Sequence, residues 1–421
     1  MKEHIAIVGT GVAGLGCAWN LRQHARLTFL EQDTRPGGHT NTVTVEENGR
    51  PVPIDTGFIV FNKVTYPNLC RLFAELDIPI KPSEMSFSVQ HIPTGLEYNG
   101  MGINKVFAQR RNFFRPRFHR FLSQIQRFFR AANELLHQPD LAPLTLREFA
   151  RRHELGQDFL DLYLVPMSSA VWSTDPKNVL DFPAATLIRF FHNHGFLGVD
   201  THHPWFTVEG GAKTYLQKIL ATCGAPRLNA KVVRVEEKPG AAEVTLSSGE
   251  KLAFDRVVLA SHADQSLALL AAPDADQERL LTPFRYQKNH ATLHTDPGVM
   301  PKKRRAWASW NYRVEDGWAA THYWMNALQG VSKKQNYFVS LNSEGRIPSD
   351  KVLYETVYDH PVFTLEAMRA GEELPQLNAR DPAQRIFFCG SYFKYGFHED
   401  AYTSGLQAAE VLKPLICSHG H

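Results

Sequence analysis

Three glycines, Gly9, Gly11 and Gly14, follow the apolar run Ile5-Ala6-Ile7-Val8, and a carboxylate stands twenty residues beyond Gly11 at Glu31. Glycines at this spacing permit a tight turn and a close backbone approach to pyrophosphate. The helix opening at Val12 and Ala13 can then aim its N-terminus at the same group. An acid at Glu31 suits the hydroxyls of an adenosine ribose and would repel a 2′-phosphate. The chemistry is therefore dinucleotide binding, with NAD and FAD both open at this point. Arg35-Pro36-Gly37-Gly38 adds a second glycine turn directly after the acid, which a simple nicotinamide dehydrogenase does not need.

These residues require particular elements to hold them. Ile5 to Val8 reads as a buried parallel strand, and Leu27-Thr28-Phe29-Leu30-Glu31 as the strand beside it. Val43, Val45, Val52 and Ile54 flank Asn48-Gly49, a hairpin signal that leads into Asp55-Thr56-Gly57-Phe58. Near the C-terminus, Arg385-Ile386-Phe387-Phe388-Cys389-Gly390-Ser391 reads as an apolar strand ending in a glycine. The run from Glu399 through Asp400, Ala401 and Ser404 to Ala409 opens a small-residue helix.

Together Gly9, Gly11, Gly14, Glu31, Arg35, Gly37 and Gly38 resemble the two-part FAD fingerprint of the amine oxidase, protoporphyrinogen oxidase and phytoene desaturase superfamily. The resemblance implies FAD as cofactor, with Val12, Ala13, Gln32 and His39 completing the grip and Thr56, Gly57 and Phe58 near the isoalloxazine. Val208-Glu209-Gly210-Gly211 with Tyr215-Leu216 resembles the superfamily's turn before a returning helix. Arg227 to Val235, including Val232 and Val233, resembles the strand that meets adenine, and Val257 to His262, including Ala260, the strand and turn after it. The Gly390-Ser391 turn and the helix with Asp400, Ala401 and Ser404 resemble the segment that closes over the flavin, where a helix N-terminus favours negative charge. Two departures stand out: Ser391 replaces a usual glutamate, and Asp400-Ala401 a usual Gly-Ala pair.

The implied fold class is α/β with an α+β insert. A Rossmann-like FAD-binding domain would comprise 1–82, 205–275 and 381–421. A discontinuous substrate domain, with a mixed or antiparallel sheet and helices, would comprise 83–204 and 276–380. Its first part reads as mainly helical; its second carries aromatic, strand-like runs at Ala306–Trp310 and Thr321–Met325.

At 421 residues, 43% hydrophobic and 21% charged, the chain has the composition of a folded protein with a large core. A net charge of +3 is too small to imply nucleic acid. Five cysteines without a CxxC spacing argue against a disulfide framework or a zinc site, so no metal is expected. No signal segment precedes the first strand and no run approaches the about 20 apolar residues of a membrane span, which makes the cytoplasm the expectation. Ser418-His419-Gly420-His421 reads as a frayed terminus.

The stretch 105–130 interleaves arginine with phenylalanine. After Pro116, Phe118, Phe121, Ile125, Phe128 and Phe129 recur at spacings of three and four, opposite a basic face. One reading is a core-facing amphipathic helix with solvated arginines; a second is a helix on an anionic membrane surface, placing the protein peripherally at the inner membrane face; a third, the least favoured, is aromatic stacking on single-stranded nucleic acid.

Superfamily members remove a hydride from a C–H bond to flavin N5, with the protein supplying a dry, shaped pocket. Leu259-Ala260-Ser261-His262-Ala263-Asp264-Gln265 and Phe397-His398-Glu399-Asp400-Ala401 resemble bacterial amine-oxidase-like FAD proteins that accompany cyclopropane-fatty-acyl-phospholipid synthase-like methyltransferases. That resemblance implies an apolar substrate, an unsaturated or methyl-branched fatty acyl chain, undergoing desaturation or double-bond isomerisation. His398 and Tyr323 are the candidates for handling the accompanying proton. A flavin amine oxidase or porphyrinogen-type oxidase, for which Lys288 and Lys394 offer a lysine near N5, and a non-catalytic flavin scaffold are the alternatives. Oxygen, a quinone or another protein could each serve as electron acceptor.

Overall fold

Fully buried Ile5, Ala6 and Ile7 make strand His4–Val8 the centre of a four-stranded parallel sheet. Its order is Ile386–Phe388, Arg256–Leu259, His4–Val8, Arg26–Leu30. The computed structural model describes residues 2–136, 144–172, 176–198, 203–315 and 317–417, so the tail Ser418–His421 lies outside the described residues. Val8 is in register with Leu30 on one side and Leu259 on the other, and Leu259 with Phe388. The carboxyl ends of four strands therefore share one edge, where open α/β sheets bind ligands.

Helices Val12–Leu21 and His398–Cys417 pack against each other beside this sheet. Their approach depends on Gly405: a Cβ there would lie 2.1 Å from the Ala13 carbonyl oxygen. A three-stranded antiparallel sheet (Val232–Lys238, Ala241–Leu246, Lys251–Phe254) flanks the parallel one. The hairpin Thr42–Glu47 with Arg50–Asp55 turns through Asn48 and Gly49 at φ 52° and 75°, the left-handed pair that a tight hairpin requires.

The second lobe centres on a seven-stranded mixed sheet in the order Val352–Val362, Arg285–His294, Phe338–Leu341, Trp318–Trp324, Trp310–Glu315, Phe87–His91, Leu96–Asn99. All neighbours pair antiparallel except Trp310–Glu315 with Phe87–His91. Two strands thus come from the stretch expected to be mainly helical. The expected strand at Ala306–Trp310 begins only at Trp310, because Arg304–Ala306 forms a 3-10 turn. There the Asn311 side chain accepts from the Ala308 N–H at 2.9 Å and donates to its carbonyl, so the backbone is satisfied locally rather than by a ladder.

Helix Pro116–Leu136 settles the readings of its aromatic stripe. Phe118, Phe121 and Phe128 are buried, with Ile125 and Phe129 packed against the core. Phe128 sits among Phe149, Phe159 and Phe191. The apolar face belongs to the interior, and Arg115, Arg117, Arg120, Arg127 and Arg130 are exposed. Among the described residues no helix is long and apolar enough to cross a membrane.

Candidate functional site

Gly9 leaves its strand at φ +100°, donating its N–H to the Leu30 carbonyl at 2.9 Å, so the chain turns directly over the sheet edge. Gly11 then caps helix Val12–Leu21 without any side-chain acceptor. A Cβ on Gly11 would meet no protein atom within 4 Å, although the residue lines a cavity of about 1100 Å³. Open space thus lies at an uncapped helix N-terminus, where a pyrophosphate is favoured. Glu31 is buried beside it, accepting from the Thr10 N–H at 2.9 Å, from the Thr10 hydroxyl and from the Asp33 N–H at 3.1 Å. Arg35 lines the cavity while donating to the Gly38 carbonyl at 2.9 Å, and the Gly37 N–H donates to the Thr10 hydroxyl at 3.1 Å, which ties the second glycine turn to the first.

The hairpin positions the next set of groups. Buried Asp55 accepts from the Thr42 hydroxyl (2.5 Å), the Gln329 amide (2.6 Å) and the Ala212 N–H (3.0 Å), joining the hairpin to helix Lys213–Cys223 and to the second lobe. Burial pushes its carboxyl up to about 6 against these hydrogen bonds. Gly57 is needed for the backbone itself, since a Cβ would lie 2.1 Å from the His39 carbonyl oxygen. The His39 ring stacks on Tyr358 at 4.8 Å and tilts against His360 at 5.3 Å. Tyr358 bonds to Thr56 (2.7 Å) and Asn41 (3.0 Å). Burial, reinforced by neighbouring His360, His262, His398 and Arg35, holds His39 well below the usual imidazole range, and burial likewise lowers His360 to about 4.

His398, the first residue of its helix, stacks on Phe58 at 3.8 Å and shares a 2.6 Å hydrogen bond through Nε2 with the Tyr215 hydroxyl. Burial lowers it to about 3, so it is neutral near pH 7. Asp400 turns back to accept from the N–H groups of Tyr395 (3.2 Å) and Phe397 (3.0 Å) and is pushed up to about 6 by burial. Tyr323 lies on strand Trp318–Trp324 with its ring edge-on to Trp310 at 4.9 Å, and both line the cavity.

Beyond these groups the cavity continues between aromatic and aliphatic side chains, including Phe87, Tyr98, Phe107, Ile125, Phe129, Tyr163, Trp172, Phe190 and Trp205. Among the described residues that line it between 66 and 205, none is Asp, Glu, Lys or Arg.

Of the residues singled out by sequence, the structure brings Gly9, Gly11, Val12, Ala13, Glu31, Gln32, Arg35, Gly38, His39, Thr56, Gly57, Phe58, Val232, Ala260, Gly390, Ser391, Ala401, His398 and Tyr323 to one cavity wall. Five sit off it. Val233 points to solvent, 44% exposed, because alternate strand residues face opposite ways and a bulge follows Val232. Gly14 and Gly37 serve backbone approach: their Cβ atoms would lie 2.3 Å from the Gly9 oxygen and 2.6 Å from the Thr40 oxygen. Asp400 acts through its loop bonds, and Ser404 accepts from the Gly390 N–H at 2.9 Å. Lys288 and Lys394 are exposed and do not line the cavity. Sequence reasoning missed Tyr358 and His360, and quoted His262 only as part of a motif, without a role. The first two lie at alternate positions of strand Val352–Val362, a spacing that marks a shared face without showing what it meets.

The family model for flavin-containing amine oxidoreductases matches residues 12–294. No curated protein sequence matches the chain. Among solved structures it is similar to cyclohexylamine oxidase from Brevibacterium oxydans IH-35A, with TM-score 0.70 and 16% identity over 100% of both chains. It is also similar to a CLA-producing fatty acid isomerase from P. acnes, with TM-score 0.67 and 15% identity over 98% of both chains. Wild-type putrescine oxidase bound to putrescine gives TM-score 0.68 and 15% identity over 98% of this chain and 99% of that one. With a strand–glycine–helix cradle, a buried acid in place and two thirds of its length matched, the chain belongs to the flavin-containing amine oxidoreductase family and is an FAD-dependent oxidoreductase.

Proposed function

We propose that this enzyme acts on a long apolar substrate, an unsaturated or methyl-branched fatty acyl chain, by desaturation or double-bond isomerisation. The observation that carries this reading is the continuous cavity, whose far half offers aromatic and aliphatic walls and no charged lysine, arginine or carboxylate among the described residues. An acyl chain loses water on entering such a space and needs no counter-ion there, whereas an ammonium group would find aromatic faces but no carboxylate partner in that half. Bound FAD supplies the hydride acceptor. The chain's residues hold the acyl carbon skeleton against that acceptor and exclude water, and to Tyr323, one of the tyrosines lining the cavity, this reading assigns the task of taking or returning a proton from the adjoining carbon. His398 is a poorer base: its Nε2 is engaged by Tyr215, its ring face is covered by Phe58, and burial holds it near 3. It fits a positioning role at the helix start.

Amine oxidation is the second reading, supported by the family and by two of the similar structures. Against it, both lysines considered for the site lie on the surface. Anaerobic mixing of the FAD-loaded protein with unsaturated fatty acids, with phospholipids and with primary amines discriminates. Bleaching of the flavin by lipid, with a new or shifted double bond in the recovered acyl chain, is the expected result. Double-bond migration without net bleaching also supports the proposal, through isomerisation. Bleaching by amines alone would replace it with the second reading, and unchanged lipid with a redox-silent flavin would remove both.

A further inference from the structure

The cavity reaches the surface at Gly100–Ile103. Met101 and Ile103 line it and are nonetheless 38% and 74% exposed. Around this mouth the chain places two more exposed aromatics, Phe113 at 42% and Phe114 at 88%. They sit on the 3-10 turn Arg110–Phe114, which Phe107 anchors by stacking on Phe113 at 3.8 Å. Four large apolar side chains within fourteen residues are therefore offered to solvent on a braced rim.

Charge follows the same rim. Between Glu97 and Glu134 the sequence contains eight lysines and arginines and no aspartate or glutamate. Three neighbouring carboxylates from elsewhere offset part of this, Glu84 at 3.8 Å from Lys105, Asp158 at 2.6 Å from Arg117 and Glu154 at 3.7 Å from Arg127. Arg110, Arg111 and Arg115 are exposed and form no ion pair with a described carboxylate. Apolar side chains ringed by cations match a surface that is apolar inside and anionic outside, the boundary of an anionic bilayer.

We infer that residues 101–115 dock the enzyme on an anionic lipid surface, with Phe113 and Phe114 entering the acyl boundary and the arginines meeting headgroup phosphates. The docking segment is thus the exposed turn before helix Pro116–Leu136, whose own phenylalanines are committed to the core. Docking in this orientation faces the cavity mouth to the membrane, so an acyl chain can pass from bilayer to cavity without crossing water. That use of the mouth rests on the acyl-substrate reading; the docking itself rests on the rim.

Co-sedimentation of the FAD-loaded protein with phosphatidylglycerol vesicles and with phosphatidylcholine vesicles tests it. Binding to the anionic vesicles, weakened on the order of ten-fold or more in Phe114→Ser/Arg115→Glu with flavin content and circular dichroism unchanged, is expected. Equal binding to both vesicle types, no binding, or a double variant that binds like the wild type would overturn the inference. Preference for single-stranded nucleic acid over vesicles would overturn it too. Vesicle binding that depends on Phe114 and Arg115, in a protein whose flavin and acyl chains stay unchanged with lipid, would keep the docking and reject the substrate reading.

Discussion

At Gly11 the backbone sits at φ −63° and ψ 171°, open to any residue, and only empty space lies where a Cβ would project. Gly11→Val should therefore fold normally while weakening FAD retention by about 100-fold, since the added methyls take the place of the pyrophosphate. Flavin absorbance of the purified protein, set against its circular dichroism, checks this. Gly14 behaves oppositely: its Cβ would lie 2.3 Å from the Gly9 oxygen, so substitution there damages the turn before it affects the cofactor. Tyr323→Phe removes the hydroxyl and keeps the ring against Trp310. Turnover of an acyl substrate should fall about 100-fold with bound FAD and KM little changed, the pattern for a group that acts on a proton in the transition state. A variant with wild-type kcat would move the proton-handling role elsewhere.

Among elements, the pairing of helices Val12–Leu21 and His398–Cys417 links the first and last parts of the cofactor site. Gly405→Ala should push them apart, costing about 1–3 kcal/mol of stability by overpacking. Urea denaturation measures that cost, and a change below about 0.5 kcal/mol would show that the helices give way easily. Much at this scale was legible beforehand. The apolar run before Gly9, the Asn48-Gly49 hairpin and the Phe387-Phe388 strand are local patterns read by period and turn chemistry alone. The Ala306–Trp310 run misled because aromatic content favours a strand only when a partner strand is present, and there Asn311 satisfies the backbone first. The aromatic stripe of helix Pro116–Leu136 had the same period whether it faced core or lipid.

Over the whole molecule, burial of imidazoles controls the response to acid. His194, His294 and His360 are lowered to about 4 and His322 and His398 to about 3, each chiefly by burial. Their folded pKa values lie below the unfolded value of about 6.5, so the stability they contribute is complete above that pH and is lost as pH falls toward 4. Asp55 and Asp400, raised to about 6, act in the opposite sense: the folded state holds their protons, and that contribution grows as pH falls below 6. Five imidazoles outweigh two carboxyls, so the melting temperature should fall between pH 7 and pH 5. His322→Gln should flatten the slope, because His322 lies in the interior against Ser340 and lines no part of the cavity. A melting temperature that rises on acidification would contradict this balance.

The sequence by itself determined the nucleotide cradle and the α/β class, because glycine spacing, a strand's apolar run and an acid in register are local constraints on backbone and charge; FAD rather than NAD followed from the resemblance of the two-part glycine fingerprint to the flavin oxidase superfamily. Only the tertiary structure decided that Tyr358 and His360 meet His39 at the cradle with His262 lining the same cavity, that Val233 turns away, and that Lys288 and Lys394 stay outside the cavity. It alone also separated the buried phenylalanines of 118–128 from the exposed ones at 113 and 114. Those outcomes depend on which faces of distant strands and helices pack together. No single segment carries that information, since the same side chain at the same period can face a core, a cofactor or a membrane.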